Sequence, residues 1–225
     1  MSRRSEVLNE MGLGPVWKSR VPGLQETAFP VKQEQRIDFS KMDWPTLKAK
    51  VAGCTDCKLR AGCTQTVFGV GDEKADWLLV GEAPGADEDR VGEPFVGQAG
   101  RLLDNMLAAI SLARGKNVYI ANVIKCRPPG NRNPEAGEIE KCSPHLRRQI
   151  ELIQPKLILA MGRFATQALL GSGATIASLR GKVHEYAGVP LIVTYHPAYL
   201  LRTLPDKAKA WADLLFAKAT IENRS

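Results

Sequence analysis

The sequence predicts an α/β fold: a three-layer α/β/α sandwich around a central four-stranded, mainly parallel sheet. Three observations predict it. Four short runs rich in branched residues, at 77–80, 118–123, 157–160 and 191–194, read as buried parallel strands. Segments of helical period separate them. Each run is followed by a loop of unusual composition: Gly81-Glu-Ala-Pro-Gly85, Lys125-Cys-Arg-Pro-Pro-Gly130, Met161-Gly-Arg163 and Tyr195-His-Pro-Ala-Tyr-Leu-Leu-Arg202. Open α/β sheets bind ligands outside the carboxyl ends of their strands, so these residues gather on one edge.

The elements follow in order. Residues 1–40 mix charge, Gly, Pro and Gln with no sustained period, which reads as a poorly ordered arm in which Trp17 packs locally or docks on a partner. The folded domain spans 41–225. A helix opening at Asp43 carries Leu47 and Val51 toward the core and runs into Cys54-x-x-Cys57. Ala99, Leu102, Leu103, Met106, Leu107 and Ile110 form one apolar stripe at i, i+3, i+4 spacing. Ser143 followed by Pro144 is an N-cap and first-turn signature, so a further helix is expected from there to about Ile153. Another covers 163–170 and ends at Gly171. In the last helix, Trp211, Leu214 and Leu215 mark the packed side.

Composition bounds the function. A chain of 225 residues, 44% hydrophobic and 24% charged, can bury one sizeable core. A net charge of +7 favours a polyanionic partner without establishing nucleic acid. No apolar run approaches the roughly 18 residues that cross a bilayer, and the opening residues lack the apolar segment of a signal peptide. The expectation is a cytosolic protein without a membrane partner, whose five cysteines are reduced thiols or metal ligands rather than a disulfide framework.

Cys54 and Cys57 can face one metal centre, and Cys126 and Cys142 can complete a four-thiolate shell. A close pair with two scattered ligands suits a site moulded around an iron-sulfur cluster; a four-cysteine zinc site and unligated thiols are the alternatives. Cys63 reads as a free thiol. No thioredoxin-like βαβ pattern surrounds the CxxC.

Several motifs then agree at once. Cys54-x-x-Cys57, Gly81-Glu-Ala-Pro-Gly85, Gly92-Glu-Pro-Phe-Val-Gly97, Ala121-Asn-Val-Ile-Lys-Cys-Arg-Pro-Pro-Gly-Asn-Arg-Asn-Pro134, Cys142 and His196-Pro-Ala-Tyr-Leu-Leu-Arg202 resemble family 4 uracil-DNA glycosylases, in order from about residue 45 to 218. The resemblance implies a uracil-DNA glycosylase-like fold and a monofunctional enzyme of base excision repair. Such an enzyme flips deoxyuridine out of DNA and hydrolyses its N-glycosidic bond, leaving an abasic site. It also implies that Cys54, Cys57, Cys126 and Cys142 bind a structural 4Fe-4S cluster. The expected partners are uracil-containing DNA, single- or double-stranded, with a sliding clamp or other repair proteins. The protein itself is expected to be a monomer of the bacterial cytosol or nucleoid.

Each task of such an enzyme has candidates. Phe95 would stack on the flipped pyrimidine, as the family's matching Phe does, and the strand-end turn with Gly81 and Ala83 would bind the substrate by aiming backbone N–H groups at the base. Asn122 offers the amide donor and acceptor that the O4 and N3–H edge of uracil requires, whereas cytosine presents the reverse pattern. Cleavage develops positive charge on the sugar and negative charge on the departing base. Glu82 would face the sugar cation or position water, with Glu88 or Asp89 sharing the task. His196 would hydrogen-bond the uracil O2 and stabilise the leaving anion. The turn lacks the Asp that other uracil-DNA glycosylase families carry there, which leaves the water-activating carboxylate open with Glu82 as first choice. Tyr199, Leu200 and Leu201 form an apolar tip that would fill the space left by the extruded nucleotide, with core packing of at least one Leu as the equal alternative. Arg127, Arg132, Arg163 and Arg202 would grip flanking phosphates. Lys125 fits a phosphate or cluster-neighbour role better than a Schiff base.

Two rival readings follow. One is a noncatalytic iron-sulfur protein that binds uracil or abasic DNA. The other is the branch that stays covalently attached to the abasic site through a loop His; here the loop 128–134 has no His, and Ala83 stands where that branch carries Gln.

Overall fold

The computed structural model describes residues 3–13 and 38–223. Residues 14–37, including Trp17, lie outside the described residues. In the N-terminal unit Met1–Ile37, an eight-residue helix, α1, spans Arg3–Glu10, where the sequence pattern suggested no regular element. Asp38–Ser225 forms the second compact unit.

Its strands are β1 (Val70–Gly71), β2 (Trp77–Gly81), β3 (Val118–Asn122), β4 (Leu157–Met161), β5 (His184–Tyr186) and β6 (Val189–Thr194). Its helices are α2 (Trp44–Ala52), α3 (Ala86–Val91), α4 (Gln98–Ala109), α5 (Ala136–Ile153), α6 (Arg163–Leu170), α7 (Ile176–Leu179), α8 (Pro197–Leu200) and α9 (Lys207–Glu222). The strands form one sheet in the order β1-β3-β2-β4-β6-β5. The four central strands are parallel, as expected, and the two edge strands are antiparallel. The sheet therefore has six strands rather than four. β1 is two residues long with glycines at 69 and 71, and β5 is His-Glu-Tyr, so neither carries the apolar run that marks a buried strand.

Alternation along each strand builds the three layers. Leu78, Val80, Tyr119, Ala121, Ile158, Ala160, Leu191 and Val193 face one core with Leu146 and Ile150 of α5 and Ala165 and Leu169 of α6. Trp77, Leu79, Val118, Ile120, Leu157, Leu159 and Ile192 face the other, with Leu103 and Leu107 of α4 and Leu214 and Ala217 of α9. Full burial of a Leu or Ile is worth about 1.5–3 kcal/mol, and these two cores hold the sheet edge that carries the site.

Two helix expectations need correction. Ser143-Pro144 does not start a helix: α5 begins at Ala136, opened by Glu138 accepting from the Glu135 N–H at 2.9 Å, and runs through Pro144. The carbonyl that loses its donor belongs to exposed Glu140 and can reach water, while Ser143 Oγ donates to the Ile139 carbonyl at 2.6 Å. On α9 the packed side carries Ala210, Asp213, Leu214, Ala217 and Ile221; Trp211 and Leu215 are exposed at 41% and 45%. Among the described residues no helix is long and apolar enough to cross a membrane.

Candidate active site

The carboxyl ends of the parallel strands open into a cleft of about 850 Å3. Its walls include Glu82, Ala83, Glu88, Phe95, Asn122 and His196, so residues more than 100 positions apart in sequence converge on one space.

β2 and β3 end in register, Gly81 beside Asn122. Gly81 does not itself line the cleft. Its role is clearance: a Cβ there would lie 2.4 Å from Asn122 Oδ1 and 2.6 Å from the Phe95 ring. Asn122 is 2% exposed, and its Oδ1 has no hydrogen-bond partner among the described residues. A buried carbonyl oxygen left unpaired costs roughly 1–3 kcal/mol. In a residue lining a cleft, that cost points to a ligand N–H as the missing partner.

His196 caps α8: its Nδ1 accepts from the Ala198 N–H at 3.2 Å. That bond leaves the ring proton on Nε2. Burial, reinforced by Arg202, pushes the imidazolium down to about 4, so the ring is neutral at physiological pH and presents one N–H donor. Phe95 and His196 stack with centroids 5.4 Å apart at 30°. Phe95 is buried and has φ of 57°, a conformation rare for a bulky side chain.

The acidic residues divide. Burial raises Glu82 to about 7, with Arg163 opposing the shift, and its carboxylate accepts no hydrogen bond among the described residues. Glu88 is committed instead: its oxygens accept from the N–H groups of Gly85 (3.1 Å), Val96 (3.0 Å) and Gly97 (3.2 Å). It splices the turn after β2 to the loop bearing Phe95, which is a framework task rather than a catalytic one. Asp89 is buried and accepts from the Thr64 and Gln65 N–H groups, and Asp87 is an exposed partner of Arg90.

The cationic residues divide likewise. Arg163 and Arg202 line the cleft, are exposed and make no ion pair among the described residues, although the Arg163 guanidinium lies 4.5 Å from the Phe164 ring. Arg132 also borders the cleft, but both terminal nitrogens bind buried Glu138, at 2.9 and 2.6 Å. Arg127 bonds Asn131 at 2.7 Å and does not line the cleft. Of the apolar tip, Leu200 is 1% exposed and belongs to the core, contrary to its expected place against DNA; its helical position turns it inward. Leu201 is exposed, and Tyr199 stacks on Tyr195 and donates to Asp206 at 2.6 Å.

Cys54, Cys57, Cys126 and Cys142 line a second, smaller pocket between the segment after α2, the loop after β3, and α5. Cys63 does not line it and lies beside Cys126. Burial pushes the Cys142 thiol up to about 11 and Cys126 further, with the neighbouring cysteines adding to the rise. The four cysteines line one pocket, and a set of four soft sulfur donors fits a soft metal centre. The Lys125 N–H donates to Cys142 Sγ at 3.3 Å. The sequence reading missed His145 and Asp56. Their ligand atoms lie within 4.8 Å of each other and of Cys54 Sγ, and both His145 ring nitrogens are buried without a hydrogen-bond partner among the described residues. A lone His inside an amphipathic helix carries no signal for this.

Residues 68–215 match the model of the uracil DNA glycosylase superfamily. The chain is 49% identical over 160 residues to a type-4 uracil-DNA glycosylase of Archaeoglobus fulgidus, covering 68% of this chain and 80% of that protein. It is 45% identical over 163 residues to the type-4 enzyme of Sulfurisphaera tokodaii, covering 69% and 74%. Similarity to a type-5 uracil-DNA glycosylase of Pyrobaculum aerophilum is lower, 36% over 148 residues, covering 58% and 64%. With a superfamily match spanning the cleft and the higher identities all on the type-4 side, the chain belongs to the type-4 uracil-DNA glycosylases.

Proposed function

We propose that the protein excises uracil from DNA by hydrolysing the bond between C1′ of deoxyribose and N1 of the base. The observation that carries this reading is the buried, unpartnered Oδ1 of Asn122, in the same cleft as the neutral His196 ring. Oδ1 accepts the uracil N3–H, and the amide N–H of Asn122 is the matching donor for O4. Cytosine has an acceptor at N3 and a donor at C4, so it would meet like against like. Phe95, with its ring fixed beside His196, stacks on the extruded base.

As the C1′–N1 bond breaks, its electron pair leaves with the base. The His196 Nε2–H donates to O2, where the leaving charge is delocalised. A neutral donor is the weaker acid and stays a donor throughout, so the ring needs no proton transfer. Glu82, held near 7 by burial, supplies a carboxylate on the sugar side when ionised. There it stabilises positive charge at C1′ and orients the water whose oxygen joins that carbon. The water's second proton passes to Glu82 or solvent, and the uracil anion is protonated on release.

Flipping the nucleotide costs a few kcal/mol, which contacts to the flanking strand offset. Of the arginines lining the cleft, Arg163 and Arg202 have no ion-pair partner among the described residues and are placed to bind phosphate, and Leu201 is an exposed apolar residue available to enter the stack.

Cys54, Cys57, Cys126 and Cys142 would hold a 4Fe-4S cluster whose contribution, when bound, is to clip the segment after α2 to α5 and the loop after β3. The reading includes a monomer acting in the cytosol or nucleoid, with a sliding clamp or other repair proteins as partners.

The test is release of free uracil from a uracil-containing oligonucleotide, run beside a binding assay. Binding without release would favour a noncatalytic DNA-binding protein. A heat-stable protein-DNA adduct would favour the covalent branch.

A further inference from the structure

Phe95 is held in an unfavourable backbone conformation, φ of 57°, by Arg114 and Asp104 together with Glu88. The loop is gripped from three sides. Arg114, in the turn between α4 and β3, donates from Nη1 to the Pro94 carbonyl and from Nη2 to the Phe95 carbonyl, each at 2.8 Å. Asp104 of α4 aims the guanidinium by accepting from Nε at 3.1 Å and Nη2 at 3.0 Å. Glu88 takes the next two N–H groups, those of Val96 and Gly97. Gly100 completes the fit, because a Cβ there would sit 1.7 Å from the Phe95 oxygen.

The pattern is specific. Two consecutive carbonyls go to a cation and the two following N–H groups go to an anion, and between them lies a non-glycine residue with φ of 57°. In water this loop would relax toward negative φ, swinging the Phe95 ring away from His196. Planar Arg suits the task, since its fork makes four hydrogen bonds at once to two carbonyls and one carboxylate, more than the three N–H donors of an ammonium supply.

We propose that Arg114, aimed by Asp104, is a positioning residue for uracil excision: it locks the Phe95 backbone so that the ring is preset to stack on the flipped base. The proposal rests on Phe95 being the stacking residue. Arg114 touches no substrate and acts only through that loop.

The experiment is a double-mutant cycle on the cluster-loaded, full-length enzyme, read as single-turnover uracil release. Arg114→Ala is expected to slow release about 10- to 100-fold, the scale of a 1 Å misplacement of a positioning group, with visible absorption unchanged. Phe95→Ala is expected to be impaired as well, and adding Arg114→Ala to it is expected to change the rate by less than about twofold. Millimolar guanidinium is expected to restore part of the Arg114→Ala rate and none of the double variant's. A wild-type rate in Arg114→Ala, or a full further loss in the Phe95→Ala background, would overturn the proposal. A wild-type rate in Phe95→Ala would instead sink the stacking reading. Should Arg114→Ala fail to fold, Asp104→Asn leaves the guanidinium present but unaimed. It is expected to show a smaller loss that also vanishes with Phe95→Ala, and no loss would count against the proposal.

Discussion

Lys125 Nζ lies 2.9 Å from the main-chain oxygen of Asn122 and 2.6 Å from Gln149 Oε1, in a fully buried position. Gln149 in turn donates to the Phe68 carbonyl at 2.9 Å. The strand end bearing the base-reading amide is thus tied to α5 through a buried cation, and the same residue's N–H meets Cys142. Lys125→Met keeps the volume but orphans two buried acceptors. The expected loss is about 2–4 kcal/mol in urea unfolding, with weaker inhibition by free uracil.

Asn122→Ala removes both halves of the base-reading amide while deleting an oxygen that has no partner in the folded chain. Stability is expected to change little and uracil release to fall at least about 100-fold, with cluster absorption intact. Release at the wild-type rate would displace Asn122 from the reading.

The pH dependence should be set by Glu82 rather than His196. With Glu82 raised to about 7 and His196 lowered to about 4, the rate is expected to climb as pH rises through 7 and show no limb near 6.5 from the imidazole. Glu82→Gln is expected to lose about 100-fold or more and to flatten that limb. Folding stability moves oppositely. Between 4.5 and 7 the folded state holds the Glu82 proton that the unfolded state has lost, so Glu82 erodes stability as pH rises. Glu82→Gln should therefore be more stable than the parent at pH 8, by calorimetry. His196 favours the folded state above 6.5 and loses that contribution toward 4.

The arginines predict a contrast. Arg163→Ala and Arg202→Ala should each weaken DNA binding and reduce the salt slope of log K by about 1. Arg132→Ala should leave that slope unchanged and lower Tm by several degrees, because Glu138 would be left buried without its partner.

Removing the metal centre tests the cysteine pocket. Cys142→Ser or exhaustive chelation is expected to abolish visible absorption and lower Tm, and iron and sulfide assay separates a 4Fe-4S cluster from zinc.

By itself the sequence determined the parallel core, because four apolar runs separated by helical periods have few ways to bury both faces. It also brought the strand-end motifs to one edge and supplied Glu82, Phe95, Asn122 and His196 as chemical types. What only the tertiary structure decided is which groups are already spent. Glu88 and Arg132 look as available in sequence as Glu82 and Arg202, but the first two are already bonded to neighbours. Leu200 and Leu201 are adjacent and chemically identical, and helix rotation buries one and exposes the other. Arg114 carries no motif at all; its meaning comes from two carbonyls 19 and 20 residues away. Periodicity is a local signal, whereas satisfaction of a buried polar group depends on which distant atoms packing brings within 3 Å.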